Sequence, residues 1–295
     1  MSVFTESLSV GAVTQIPMPA TQTAAWVSSA RHWSYIKSPQ RPTPEDGSFL
    51  MRALAPVFQD QTTPCRIVVL GVTPEVVGLN WPDQVSILAF DQSEDMIRMV
   101  WSPNPHCTSS VTKAHWESMP LKDVSTQAIV GDASLNALPR LDAYPDVLRE
   151  MYRVLEPGGL VALRCFVRPD NVEPLDTIRE DVFSRKVGCM SALKWRLAMA
   201  LAEPDTASVT LSSVYSAFAK LFPSREAFAT ATGWASEEIG TMDPYCDSPT
   251  CLNFPTLAQF HAAFAPWFDV TDMFYSSYEL GEQCPTLVIQ RRNAV

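Results

Sequence analysis

Short uninterrupted apolar runs alternate with segments of helical periodicity through the middle of this chain. Ile67 to Leu70 is β-branched and aliphatic throughout, the pattern of a strand covered on both faces in a parallel sheet. Val85 to Phe90 reads as a second apolar strand, Ala128 to Val130 as a short one, and Leu160 to Phe166 as a further buried strand. Before the last of these, Val147, Leu148, Met151, Val154 and Leu155 recur at helical spacing, and Pro157-Gly158-Gly159 stands where that helix must stop. Strands alternating with helices predict an α/β fold.

The flanks have a different texture. Residues 1 to about 20 are small, polar and proline-punctuated. Thr23 to Tyr35 carries Trp26, Val27, Ala30, Trp33 and Tyr35 in a roughly helical pattern, and Pro44 with Glu45 and Asp46 marks the start of a helix reaching Phe58. Beyond the strand at Leu160, Glu173 to Leu201 reads as two helices split near Gly188. Val209 to Leu221 and Ser224 to Thr232 read as further helices. Phe268 to Tyr278 and Thr286 to Gln290 close the chain as strands.

The residues at the ends of the first two strands carry the chemistry. Gly71 comes directly after Leu70 and, lacking a Cβ, lets the backbone pass close to a ligand. Asp91 ends the second strand about 20 residues later, where a carboxylate can accept hydrogen bonds from two ribose hydroxyls. The same spacing leaves Asp91 open to a second reading as a helix cap, since Ser93 and Glu94 come directly after it. The turn is not a dinucleotide G-x-G-x-x-G, because Thr73 and Glu75 stand in place of glycines. Glu75 also sets a negative charge where a phosphate would bind, so a zwitterionic or cationic nucleoside fits better. Glu75 is either a ligand contact or simply a favourable charge in a first helical turn.

At these residues the chain resembles the class I S-adenosylmethionine-dependent methyltransferases. Their first strand ends in an acidic D/E-x-G-x-G-x-G motif. Here Val69 holds the acidic position, Gly71 the first glycine, Thr73 the second and Glu75 the third, while Asp91 matches the second-strand acid. Leu148 to Leu163, with its helix, Pro157-Gly158-Gly159 turn and strand, looks like the family's passage into its fifth strand. The resemblance implies a Rossmann-like seven-stranded sheet with helices on both faces, whose last two strands form an antiparallel hairpin. It implies three parts: an amino-terminal helical lid segment over 1–60, a cofactor-binding domain over 61–170 and 263–295, and a helical substrate-cap insertion over 171–262 between strands five and six.

It also implies site residues. Gly71, Val72, Thr73, Glu75, Asp91, Gln92 and Met96 are expected at S-adenosylmethionine, together with Gly131 and Asp132 at the end of strand four. His115 and Trp116 occupy the place of the family's adenine contacts; His115 departs from the usual acid, so Trp116 is expected to stack on the ring or to be a buried structural Trp. Methyl transfer depends chiefly on positioning and desolvation. Where an un-ionised hydroxyl or amine needs a base, His32 and Asp132 are the candidates. Trp33, Tyr35, Trp195, Tyr215 and Tyr245 are expected substrate contacts.

Composition narrows the partners. The chain has 295 residues, 46% of them hydrophobic, enough for one large core with an insertion. A net charge of −10 without any basic run argues against nucleic acid as substrate. The seven cysteines include no C-x-x-C pair, which suggests free thiols in a reducing compartment; no metal site is expected. No apolar run approaches the ~20 residues that span a bilayer, and Glu6 with no basic start argues against a signal peptide. The expectation is a soluble cytoplasmic enzyme, with a homodimer open to it, that methylates oxygen or nitrogen of a small, specialised metabolite. The alternative keeps the fold and S-adenosylmethionine binding for a regulatory or electrostatic role without transfer.

Overall fold

A computed structural model describes residues 33–59 and 64–293. After a single 3-10 turn at Trp33–Tyr35, helix α1 (Pro44–Leu54) begins with a reciprocal cap. The Thr43 side chain accepts the Asp46 amide, the Asp46 side chain accepts the Thr43 amide, and Pro44 presets the first turn. A 3-10 turn (Ala55–Phe58) extends α1, so the helix expected to reach Phe58 tightens over its last four residues.

Next come β1 (Cys65–Leu70), the short α2 (Pro74–Val77), β2 (Val85–Asp91), α3 (Glu94–Val100), β3 (Thr108–Lys113) and β4 (Thr126–Asp132). α4 (Tyr144–Val154) then leads into β5 (Leu155–Arg164). Strand pairing begins earlier than the sequence suggests: Leu155 already pairs with Thr126, and Pro157-Gly158-Gly159 forms an irregularity inside the strand before Leu160 pairs with Ala128. Gly158 takes a φ of +77° there, a conformation that favours glycine.

The insertion contains α5 (Leu175–Phe183), α6 (Met190–Leu201), β6 (Ser208–Thr210), α7 (Leu211–Leu221), α8 (Arg225–Thr232), α9 (Ser236–Gly240) and β7 (Cys251–Asn253). β6 and β7 form a small antiparallel pair that the hydrophobic pattern does not announce. α10 (Leu257–Phe264), β8 (Phe268–Phe274) and β9 (Thr286–Arg291) complete the chain.

The large sheet has seven strands in the order β3-β2-β1-β4-β5-β9-β8. The first five run parallel, and β9 lies antiparallel between β5 and β8. Alternate residues of β1 serve opposite faces, as strand pleating requires. Ile67 and Val69 pack with Leu50 and Leu54 of α1, while Val68 and Leu70 pack with Leu148 and Met151 of α4 and Phe260 and Phe264 of α10. α1 therefore belongs to the sheet's covering layer rather than to a lid. α10 straddles the expected boundary at residue 262 and also packs on the sheet. The cap has its own core, in which Met190, Leu193, Phe218 and Phe228 are buried.

Candidate active site

β1 and β4 are neighbours, with Leu70 opposite Gly131, and from this point the strand order runs outward in opposite directions. Open α/β sheets leave a crevice at such a switch point, beyond the carboxyl ends of the strands. Here the cap roofs it, giving a cavity with about 1220 Å³ of empty space, mouth included.

Gly71 has a φ of +104°, and a Cβ built on it would stand 3.9 Å from Asp91 Oδ2 and 3.9 Å from the Trp116 ring. Glycine, carboxylate and indole thus converge on one space. Trp116 is fixed there because its Nε1 donates to the Phe90 carbonyl at 2.7 Å. Asp91 Oδ1 accepts the Ser93 amide at 2.8 Å, and Ser93 in turn caps α3 through the Met96 amide. Cap partner and cavity residue are therefore compatible roles for Asp91. Burial pushes its carboxyl up to about 6, against the opposing pull of the Ser93 amide. Val72, Thr73, Gln92 and Met96 complete this end of the cavity.

Asp132 also lines the cavity. Its Oδ1 accepts a 2.5 Å hydrogen bond from Arg164, the residue paired with it across β4 and β5. Arg164 is fully buried. It stands 3.3 Å from Asp46, donates to Tyr278 Oη at 2.9 and 3.0 Å, and donates to the Pro39 carbonyl. Burial is the largest influence on Asp132 and raises its carboxyl to about 6, although Arg164 pulls it down. Ala133, the next residue, adopts a φ of +53°, unusual for a residue with a side chain, while its amide donates to the Arg164 carbonyl at 2.8 Å.

Residues 75–163 match the sequence model of a methyltransferase domain. Over that stretch the chain is similar to methyltransferase domains, which supports the reading of a class I S-adenosylmethionine-dependent methyltransferase. The methyltransferase-domain match points to S-adenosylmethionine as cofactor, and Gly71, Asp91 and Trp116 face one open space. No curated protein matches the chain. Among solved structures, it is similar to a putative Zn-dependent alcohol dehydrogenase from Rhodobacter sphaeroides at 9% identity, covering 94% of this chain and 100% of that one, with a TM-score of 0.56. At that identity the likeness is one of fold alone. Looser likenesses are to the N-methyltransferase NodS from Bradyrhizobium japonicum in complex with S-adenosyl-L-homocysteine, at 9% identity over 92% of this chain and 100% of that one, TM-score 0.49. A further one is to an S-adenosylmethionine-dependent methyltransferase from Methanosarcina mazei, at 14% identity over 80% of this chain and 97% of that one, TM-score 0.46.

Several expected contacts of the methyltransferase lie elsewhere. Glu75 is not in the cavity wall, because its carboxylate accepts the Arg41 guanidinium, Nε to Oε1 at 2.8 Å. His115 sits in the turn whose carbonyl accepts the Ser118 amide, and the chain presents Trp116 instead. Gly131 is buried behind the wall. A Cβ there would fall 2.4 Å from Ser134 Oγ, which donates to the Leu70 carbonyl at 2.7 Å and ties the β4 turn to the end of β1. Tyr35 is exposed, and Tyr215 packs half-buried against the cap core. Trp195 and Tyr245 do line the cavity. Trp33 opens the first 3-10 turn; His32 lies outside the described residues.

Sequence reasoning passed over Arg164, Gln40, Phe166 and Phe254. Arg164 alone left a signal, as the one cation inside an apolar strand. Phe166 and Phe254 are 88 positions apart and meet only because the cap folds back, at 6.4 Å between ring centroids.

Proposed function

We propose that this methyltransferase acts on oxygen or nitrogen of a small molecule held under the cap, in the cytoplasm and within a biosynthetic route. The observation that supports the reading most is the continuity of the cavity. One end is formed by Gly71, Asp91 and Trp116, the other by cap residues including Trp195 and Tyr245, and Asp132 stands in the same enclosure. The net charge of −10 further counts against a nucleic-acid acceptor.

When bound, S-adenosylmethionine would supply an electrophilic methyl group for oxygen or nitrogen of the acceptor. Asp91 would accept from its ribose hydroxyls, and Gly71 and Trp116 would hold its nucleoside. Asp132 takes the proton lost by the acceptor and returns it to solvent. Arg164 holds Asp132 in place and keeps a second positive charge off the acceptor by pairing with Asp132 and Asp46. The mostly apolar walls would exclude water once both ligands fill the cavity, which would strengthen each of these interactions.

The test is incubation of the full chain with methyl-labelled S-adenosylmethionine and a panel of neutral phenols, alcohols and amines. A product one methyl group heavier, lost in Asp132→Asn while S-adenosylhomocysteine still binds, is expected. Binding of S-adenosylhomocysteine with no transfer to any member, or transfer only to protein or nucleic acid, would overturn the proposal.

A further inference from the structure

The acceptor end of the cavity carries more information than its size. Phe166 just beyond β5, Trp195 on α6 and Phe254 just beyond β7 are all buried and meet edge to face. Phe166 and Trp195 are 4.9 Å apart at 73°, and Trp195 and Phe254 are 5.4 Å apart at 79°. This wall is rigid before any ligand arrives, since Asn136 Oδ1 accepts the Phe166 amide at 2.9 Å and Asn136 Nδ2 donates to the Phe166 and Asn253 carbonyls at 2.8 Å. A flat, apolar body stacks well against such a surface.

Charge is the second constraint. Among the described residues, Asp91 and Asp132 are the only charged side chains lining the cavity. An anionic acceptor would find no cation lining the wall, and burying an unpaired carboxylate is costly. A cationic acceptor under the cap would meet Asp132, but that carboxylate is already paired with Arg164 at 2.5 Å. The Arg164 guanidinium already lies 5.0 Å from the Phe166 ring centroid and the Lys194 ammonium 5.0 Å from that of Tyr245, so the protein's own cations occupy those rings.

The third constraint is polar. Trp195 Nε1 and Gln40 Oε1 are buried and have no hydrogen-bond partner among the described residues, although both residues line the cavity. Gln40 is oriented by its other end, where Nε2 donates to Tyr245 Oη at 3.2 Å. An orphan donor and an orphan acceptor lining one cavity call for a ligand that both accepts and donates hydrogen bonds.

Resting on the small-molecule reading above, we infer that the methyl acceptor is an uncharged, planar aromatic compound bearing, besides the group that is methylated, polar substituents of which one accepts from Trp195 Nε1 and one, a hydroxyl, donates to Gln40 Oε1.

The experiment is calorimetric titration of the full chain, first with S-adenosylhomocysteine and then, at saturation, with 2,7-dihydroxynaphthalene, 2-naphthoate and 2-(aminomethyl)naphthalene. The neutral diol is expected to bind at least about 10-fold more tightly than either charged probe. Trp195→Phe, which keeps the ring and deletes the N–H, is expected to weaken the diol about 5- to 10-fold, the worth of one buried hydrogen bond, and to leave naphthalene unchanged. Gln40→Leu is expected to act likewise. Equal or tighter binding of a charged probe overturns the inference, as does a loss in Trp195→Phe shared equally by diol and naphthalene, or no loss at all. If Trp195→Phe fails to fold, the ranking of probes on the unaltered chain still decides. Failure of S-adenosylhomocysteine to bind would instead strike the methyltransferase reading itself.

Discussion

Gly71 and Asp91 are where single side chains have the largest expected effects. At φ +104° an added side chain is strained, by about 1–3 kcal/mol. Its methyl would also point into the space shared by Asp91 and Trp116. Gly71→Ala is therefore expected to lower thermal stability and to weaken S-adenosylhomocysteine at least about 10-fold in a titration. Asp91 gives a pH dependence with a definite sign. Its carboxyl is raised to about 6 by burial, and only the ionised form accepts from both ribose hydroxyls. Affinity should be full above pH 7 and fall as pH drops through about 6, whereas Asp91→Asn should bind weakly with a flattened profile. An unaltered chain whose affinity does not change between pH 5 and 7.5 would remove Asp91 from the cofactor site. The sequence made Gly71 and Asp91 visible because each sits at the end of an apolar run. It left Glu75 undecided because nothing local says that Arg41, 34 positions earlier, takes its carboxylate.

At the scale of elements, the beginning of α1 is joined to the sheet by Asp46. One oxygen of Asp46 accepts from Thr43, and the other accepts from Ser276 at 2.6 Å and Tyr278 at 3.1 Å, with Arg164 at 3.3 Å. Two substitutions separate local capping from this wider network. Thr43→Ala removes the cap hydroxyl alone and should cost about 1 kcal/mol in a urea denaturation. Arg164→Met strips the partner from two buried carboxylates, Asp46 and Asp132, and should cost about 3–5 kcal/mol. Similar costs for the two would show that the network contributes no more than an ordinary cap. The strands and helices themselves were largely readable, since periodicity is a local property. The starts of elements were less so: β5 begins at Leu155 because Thr126 pairs with it, and the β6–β7 pair exists only because Val209 finds Leu252 across the insertion.

For the molecule as a whole, the proposed cofactor site works against the stability of the ligand-free fold. A carboxyl whose pKa rises on folding adds stability that is complete below its unfolded value of 3.8 and is lost as pH climbs through about 6. At neutral pH, keeping Asp91 ionised thus costs up to roughly 3 kcal/mol. Asp91→Asn should raise the melting temperature of the ligand-free chain at pH 7.5 and leave it nearly unchanged at pH 3.5. It should also abolish most of the stabilisation by S-adenosylhomocysteine, which at one hundred times its dissociation constant gives about 2.7 kcal/mol to the unaltered chain. Scanning calorimetry at the two pH values, with and without ligand, checks all three. A mutant less stable than the parent at pH 7.5 would mean that the Ser93 turn matters more than the buried charge.

By itself the sequence determined the parallel strands, the helix before β5, and the Gly71-to-Asp91 spacing that marks a nucleoside site, because each depends on residues close together along the chain. The tertiary structure alone decided which side chains share the cavity. It brought Phe166, Trp195 and Phe254 into one wall, withdrew Glu75 and His115, and set Arg164 behind Asp132. Those outcomes depend on how the insertion folds back over the sheet and on which buried charges find partners. Both are contacts between distant residues, and no local pattern of apolar and polar positions encodes them.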